Sequence, residues 1–218
     1  MKHLKILGLA AAAALAVMAF GTGSASAATK LCSTEAGTPG GCPAGKFEYK
    51  GHIEAKVTNP PGVVLVTNLT TVTCEESNMT LHANTPTNVA PTTSITGEVT
   101  NLTFAKCTTS AKQNCTVTVV NLPYPAHVQG TIDGFTSTSS LTVTDEKGAG
   151  ATVVCGFVIN CTLTTKEATL HGVNSTTPTT TEFTATKVPL ERHGGICPAT
   201  AEWNASYQVT TPAGFTVH

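Results

Sequence analysis

Lys46-Phe47-Glu48-Tyr49-Lys50-Gly51-His52-Ile53-Glu54-Ala55-Lys56-Val57 is the stretch that decides the fold class. Phe47, Tyr49, Gly51, Ile53, Ala55 and Val57 share one parity, and Lys46, Glu48, Lys50, His52, Glu54 and Lys56 share the other. A period of two, with one apolar and one wet face, describes a half-buried antiparallel strand. Downstream, Asn59-Pro60-Pro61-Gly62 breaks the chain, and Val63 to Cys74 reads as a second strand rich in Val and Thr, joined to the first by a hairpin. Further strands are expected over 78–83, 94–106, 114–122, 126–135, 139–145, 151–157, 161–170, 181–190 and 200–210, with a short one near Phe215. In the last long one, Ala201, Trp203, Ala205, Tyr207 and Val209 alternate with Glu202, Asn204, Ser206 and Gln208, which makes Trp203 a core anchor. No segment beyond the N-terminus has a helical period. The expected fold is all-β, an antiparallel β-sandwich of about 10–12 strands, with a β-barrel as the alternative.

Two strands change parity along their length. Ile95 and Val99 are odd whereas Leu102 and Phe104 are even, so one face holds all four only with a bulge or bend near Thr100. Phe183 and Ala185 give way to Val188 and Leu190 in the same manner. Each of these strands follows a Thr/Pro-rich loop, Thr85 to Thr93 or Thr176 to Thr181, and precedes a cysteine, Cys107 or Cys197. The recurrence suggests an internal duplication, 46–123 against 126–210, within a single β domain spanning 46–218.

The N-terminus has the order of an export signal. Lys2, His3 and Lys5 precede an apolar run from Ile6 to Phe20, and small residues lead to Ala25-Ser26-Ala27. Residues 1–27 are expected to be a signal peptide, since the run falls short of the roughly 20 residues a membrane span needs. Residues 28–45 then form a disulfide-stapled N-terminal loop. Without Lys2 and Lys5, ten Lys plus Arg face thirteen Asp plus Glu, a net charge of −3, and Arg192 is the sole arginine. Such a surface lacks the basic stripe of a nucleic-acid or anionic-membrane binder. The expected partner is an extracellular protein or glycan, with no nucleic acid and no membrane span after cleavage; the expected location is secreted, with cell-surface association open.

The cysteines are Cys32, Cys42, Cys74, Cys107, Cys115, Cys155, Cys161 and Cys197. Eight cysteines allow 105 pairings. One scheme staples local loops: Cys32 with Cys42, Cys107 with Cys115, Cys155 with Cys161, leaving Cys74 to reach Cys197. The duplication favours another, Cys74 with Cys107 and Cys155 with Cys197, with Cys115 and Cys161 crossing between halves. The local scheme is preferred. Metal binding competes poorly, because no Cys-x-x-Cys pair occurs. Of the histidines beyond residue 27, namely His52, His82, His127, His171, His193 and His218, none has a second at ligand spacing in the chain. His52, His82 and His127 fall on polar strand faces as solvated side chains, and Asp133, Asp145 and Glu146 are too sparse for a calcium loop. No metal and no cofactor are expected.

Catalytic patterns are equally scarce, with no Gly-x-Ser-x-Gly, no His-Glu-x-x-His and no phosphate-cradling glycine loop. Glu191-Arg192-His193-Gly194-Gly195 is the densest polar cluster and reads as a charged turn rather than a general-base site. Glu75 and Glu76 are neighbours on a strand, which sends them to opposite faces and disfavours a glycosidase pair. Sequons at Asn68, Asn78, Asn101, Asn114, Asn160, Asn174 and Asn204 follow from the abundance of Thr.

The Ala-rich run ending Ser24-Ala25-Ser26-Ala27, the segment Ile95 to Phe104 before Cys107, Asn121-Leu122-Pro123-Tyr124, and Ala151 to Cys155 with Ile159-Asn160-Cys161 together resemble uncharacterised Thr-rich secreted proteins of actinobacteria. That resemblance covers the mature chain and implies export, with no activity and no site residues to carry over. No catalytic residue is assigned. The leading expectation is a secreted, non-enzymatic protein with a binding or cell-envelope role. A hydrolase assembled in strand-end loops and a stapled-loop inhibitor or toxin-like module are the alternatives. For glycan stacking only Tyr124 and Phe135, in loop positions, are free of the predicted core faces.

Overall fold

Alternating Thr/Val sequence gives extended backbone along nearly its whole described length. The computed structural model describes residues 29–34, 42, 45, 47–58, 60–84, 94–133, 136–157, 159–176 and 179–218. Residues 1–27, read as a signal peptide from the sequence, and residues 85–93 and Phe135 lie outside them. The strands are β1 (Leu31–Ser33), β2 (Phe47–Glu48), β3 (Gly51–Val57), β4 (Val63–Thr67), β5 (Thr71–Ala83), β6 (Ile95–Thr109), β7 (Asn114–Val120), β8 (Tyr124–Asp133), β9 (Thr136–Cys155), β10 (Ile159–Thr176), β11 (Thr179–Pro189), β12 (Glu191–Ile196), β13 (Ala201–Thr211) and β14 (Thr216–Val217).

Eight antiparallel staves close into a barrel. In order they are β3 with β4, β5, β6, β7 with β8, β9, β10, β11 with β12, and β13, each pairing with the stave before it. The ring is completed where β13 meets the first stave, Tyr207 opposite Val57 on β3 and Trp203 opposite Leu65 on β4. Of the two architectures that strand alternation permits, the chain takes the barrel rather than the sandwich. Closure pairs the first stave with the last and removes the edges a sandwich would expose.

The expected hairpin at Asn59 to Gly62 does not form. Both β3 and β4 run antiparallel to β5, with Lys56 opposite Asn78 and Val63 opposite Cys74, so they are successive halves of one interrupted stave. The hairpin falls inside the segment taken as one strand, at Thr67-Asn68-Leu69-Thr70. There the Thr67 hydroxyl accepts the amides of Leu69 and Thr70 at 3.2 and 3.0 Å, a side-chain turn that needs neither Gly nor Pro. Likewise β7 and β8 share a stave broken at Asn121 to Pro123, both pairing with β9.

The parity changes appear as bulges. Thr80 faces Asn101 but Leu81 faces Val99, leaving Thr100 as the extra residue. Ala185 faces Ala205 whereas Val188 faces Trp203, which places a second bulge at Thr186 and Lys187. These dislocations let staves curve while keeping aliphatic side chains inside.

The small sheet of β1, β2 and β14 closes one end. Leu31 pairs with Val217, and Leu31, Phe215 and Val217 are fully buried. Asn174 Nδ2 donates to the Val217 carbonyl at 3.0 Å, and the Gly130 amide donates to Thr29 Oγ1 at 3.0 Å, tying the sheet to β10 and β8. A Cβ on Gly130 would lie 2.9 Å from the His218 carbonyl oxygen, so only glycine lets the C-terminal strand lie this close.

Three of the four cysteine bridges belt the other end, while Cys32–Cys42 staples the small sheet. All eight cysteines are oxidised, as Cys32–Cys42, Cys74–Cys107, Cys115–Cys155 and Cys161–Cys197. Only Cys32–Cys42 of the local scheme forms. The duplication scheme is right for Cys74–Cys107 and wrong for Cys197, which takes Cys161. The cause is register: Cys74 lies directly across from Cys107, and Thr116 opposite Val154 brings Cys115 beside Cys155. Bridges therefore run between staves instead of across turns. Sequence separations of 33, 40 and 36 give each belt bridge about 4 kcal/mol of stabilisation in the chain-entropy picture.

Outside the barrel, hydroxyl pairs span the ladders: Thr152 with Thr162 at 2.9 Å, Thr142 with Thr169 at 3.2 Å, and Thr184 with Ser206 at 2.7 Å. Thr fits a pleated ladder by its branched Cβ and supplies the polar surface that the few charges do not.

A candidate binding cavity inside the barrel

An eight-stranded barrel is just wide enough for inward side chains to fill it, and smaller side chains leave room. Here the inward positions of β9 and β10 include Ala149 and Ala168, with Gly150 and Ala151 alongside, facing Val72, Met79, Val99 and Leu163. A cavity of about 110 Å³ remains between them. Its lining is almost wholly aliphatic and aromatic, with Phe104, Tyr124, Trp203 and Tyr207 as the rings. For scale, an aliphatic hollow of about 150 Å³ stays dry and takes up benzene.

The wall beside the cavity is thin on one side. Strand β6 pairs with β8 through Ile95 to Val99 and with β7 through Cys107 and Thr108, so residues 100–106 have no ladder partner on that side. Leu102, Phe104 and Val117 gather there, half-buried, and all three line the cavity.

Polar atoms in the lining are nearly all satisfied. Tyr207 is fully buried and its hydroxyl lies 2.7 Å from Ser77 Oγ, itself buried. Burial pushes the Tyr207 phenol far above the usual tyrosine range, and the Ser77 hydrogen bond offsets a little of that. The Tyr124 hydroxyl donates to the Val120 carbonyl and accepts the Gly150 amide at 3.2 Å. Its pKa is also raised, first by burial and then by the Asp145 carboxylate, against the lowering effect of the Gly150 backbone bond. Trp203 Nε1 differs: it is buried and has no hydrogen-bond partner among the described residues. Such an orphan donor in an apolar wall is costly unless something accepts from it.

Of the residues singled out in the sequence, Trp203, Tyr124 and Cys74 line the cavity, and the polar candidates lie elsewhere. Glu191 to Gly195 form the exposed strand β12, where His193 Nε2 meets Thr164 Oγ1 at 2.9 Å and Arg192 donates to the Pro198 carbonyl at 3.3 Å. Glu75 and Glu76 do not face opposite sides; both are exposed, and Glu76 pairs with Lys106 at 2.5 Å. Tyr124 is not a free stacking ring, being 2% exposed. No group of three or more His, Cys, Asp or Glu among the described residues is arranged to hold a metal. The cavity was missed because it has no motif. Its signal was present only as small residues, Ala149 and Ala168, at inward parity.

The barrel is polar outside and apolar inside. Along β3, His52, Glu54 and Lys56 are exposed while Ile53 and Ala55 are buried, the reverse of a membrane barrel with its lipid-facing apolar band. No described helix is long and apolar enough to cross a membrane. No family model, curated protein or solved structure matches the chain.

Proposed function

We propose that this protein is an exported carrier or sensor that takes a small apolar molecule into its barrel. The observation that carries the reading is the apolar cavity, open where β6 lacks a ladder partner, with one unpartnered donor, Trp203 Nε1, on a residue that lines it. Ligand sites are typically apolar hollows with few polar groups that fix orientation, and small antiparallel barrels use their interiors this way. The chemistry that fits is a compact apolar body no larger than about a single benzene ring with a small substituent, bearing one carbonyl or ether oxygen toward the indole N–H. Four disulfides support an oxidising compartment, in keeping with an export signal at residues 1–27 and with the resemblance to Thr-rich secreted actinobacterial proteins. No catalytic pair or triad faces the cavity among the described residues, which favours binding over hydrolysis.

Trp203 is the chain's single tryptophan, so its emission reports the cavity directly. Titration of the protein with toluene and acetophenone, against benzoate as a charged control, is expected to shift Trp203 emission saturably at one molecule per chain. Acetophenone should bind more tightly than toluene. Absence of any saturable change across the neutral probes, or tighter binding of benzoate, would remove the reading.

A further inference from the structure

On the outer face of the barrel, β3, β5 and β6 carry a row of polar residues in register: His52 opposite His82, and His82 opposite Glu98. All three side chains are exposed. The two imidazole rings stand with centroids 4.8 Å apart and planes tilted by 52°. That separation has a coordination meaning. With metal–nitrogen bonds of about 2.0–2.1 Å, two imidazoles on one ion have centroids about 4.5 Å apart at a right angle and about 5.2 Å apart at the tetrahedral angle. The observed spacing lies between the two.

We propose that His52 and His82 chelate a divalent transition-metal ion of the copper, nickel and zinc group, with water at the remaining positions. Imidazole donors suit these ions, whereas magnesium and calcium would want an oxygen cage that the row does not offer. The scaffold is pre-ordered: β3 and β5 are adjacent staves of a closed ring, and the Tyr49 hydroxyl donates to the His52 carbonyl at 2.6 Å at the start of β3. Only two side-chain nitrogens are in place, so the site is open and exchangeable rather than a structural cage. His127 on β8 is the internal control, since its register partners Thr96 and Thr142 are not ligands. Linear spacing hid the pair, because thirty residues and a turn separate two side chains that the ladder sets face to face.

The test is calorimetric titration of the tag-free secreted protein with zinc chloride and, separately, copper(II) chloride, on the native chain and on His52→Ala, His82→Ala and His127→Ala. Far-UV circular dichroism confirms that each exposed-site variant is folded. The expected result is one ion per chain, weakened about 10- to 100-fold by either His52→Ala or His82→Ala and not by His127→Ala. Copper bound to the native chain should show superhyperfine splitting from two nitrogens. No binding by either ion at micromolar concentration, binding unmoved by His52→Ala and His82→Ala, or loss on His127→Ala would overturn the proposal.

Discussion

Tyr207 and Ser77 offer the sharpest energetic test of the barrel interior. Their hydroxyls meet at 2.7 Å with both side chains buried, at 0% and 3% exposure, one from β13 and the other from β5. Tyr207→Phe removes a single oxygen and leaves the ring packing intact, but it strands the Ser77 hydroxyl in an apolar wall. Ser77→Ala strands the phenol in the same way. Each single change is expected to cost about 1–3 kcal/mol, the penalty of a buried polar group without a partner. In Ser77→Ala with Tyr207→Phe neither orphan remains, so the double variant should lose clearly less than the two single losses combined, with a coupling of about 1–2 kcal/mol. Urea unfolding with the disulfides intact measures all four free energies, and an unchanged denaturant slope certifies that the unfolded reference is the same. Additive losses would refute the reasoning, because they would mean that the two hydroxyls find other partners and do not share a dry interior.

Three further outcomes follow from the same structure. Non-reducing peptide mapping should recover Cys74 with Cys107, Cys115 with Cys155, and Cys161 with Cys197; peptides joining Cys107 to Cys115 or Cys155 to Cys161 would contradict the stave register. Spectrophotometric titration should find Tyr124 and Tyr207 ionising above the usual value near 10. Since their folded values lie above the unfolded one, the stability they lend is complete below pH about 10 and is lost as pH rises toward the folded values, so a stability curve flat to pH 12 would be inconsistent. Ala168→Leu should fill part of the cavity, abolish probe binding and raise stability by roughly 1–2 kcal/mol if its added carbons are buried without strain; unimpaired binding would show that the ligand lies elsewhere.

Much of the strand content was legible because alternation is local. Gly51 to Val57 and Ala201 to Gln208 each announce a half-buried strand, whereas Phe47 and Glu48, read as the start of the first of these, pair with β1 in the small end sheet; the parity changes near Thr100 and after Ala185 located bulges that the ladders confirm. Closure was not legible. Sandwich and barrel ask the same alternation of every strand, and what separates them is the pairing of β13 with β3 and β4, whose partners are more than a hundred residues apart. The Asn59 to Gly62 break was read as a reversal because Pro and Gly usually mark one, yet a stave interrupted in mid-length uses the same residues. The true reversal at Thr67 to Thr70 depends on one threonine hydroxyl. Register again explains the two other misses, the belt of disulfides and the His52–His82 pair, since both join residues that only the folded ladder brings together.

The hollow interior is the claim on which the proposed function rests, and xenon probes it without assuming a ligand. Crystals of the protein pressurised with xenon are expected to show one strong site inside the barrel, among Phe104, Ala149, Ala168 and Trp203, that disappears in Ala168→Leu. Xenon found only on the surface, or a barrel whose interior side chains meet with no space between them, would contradict the account.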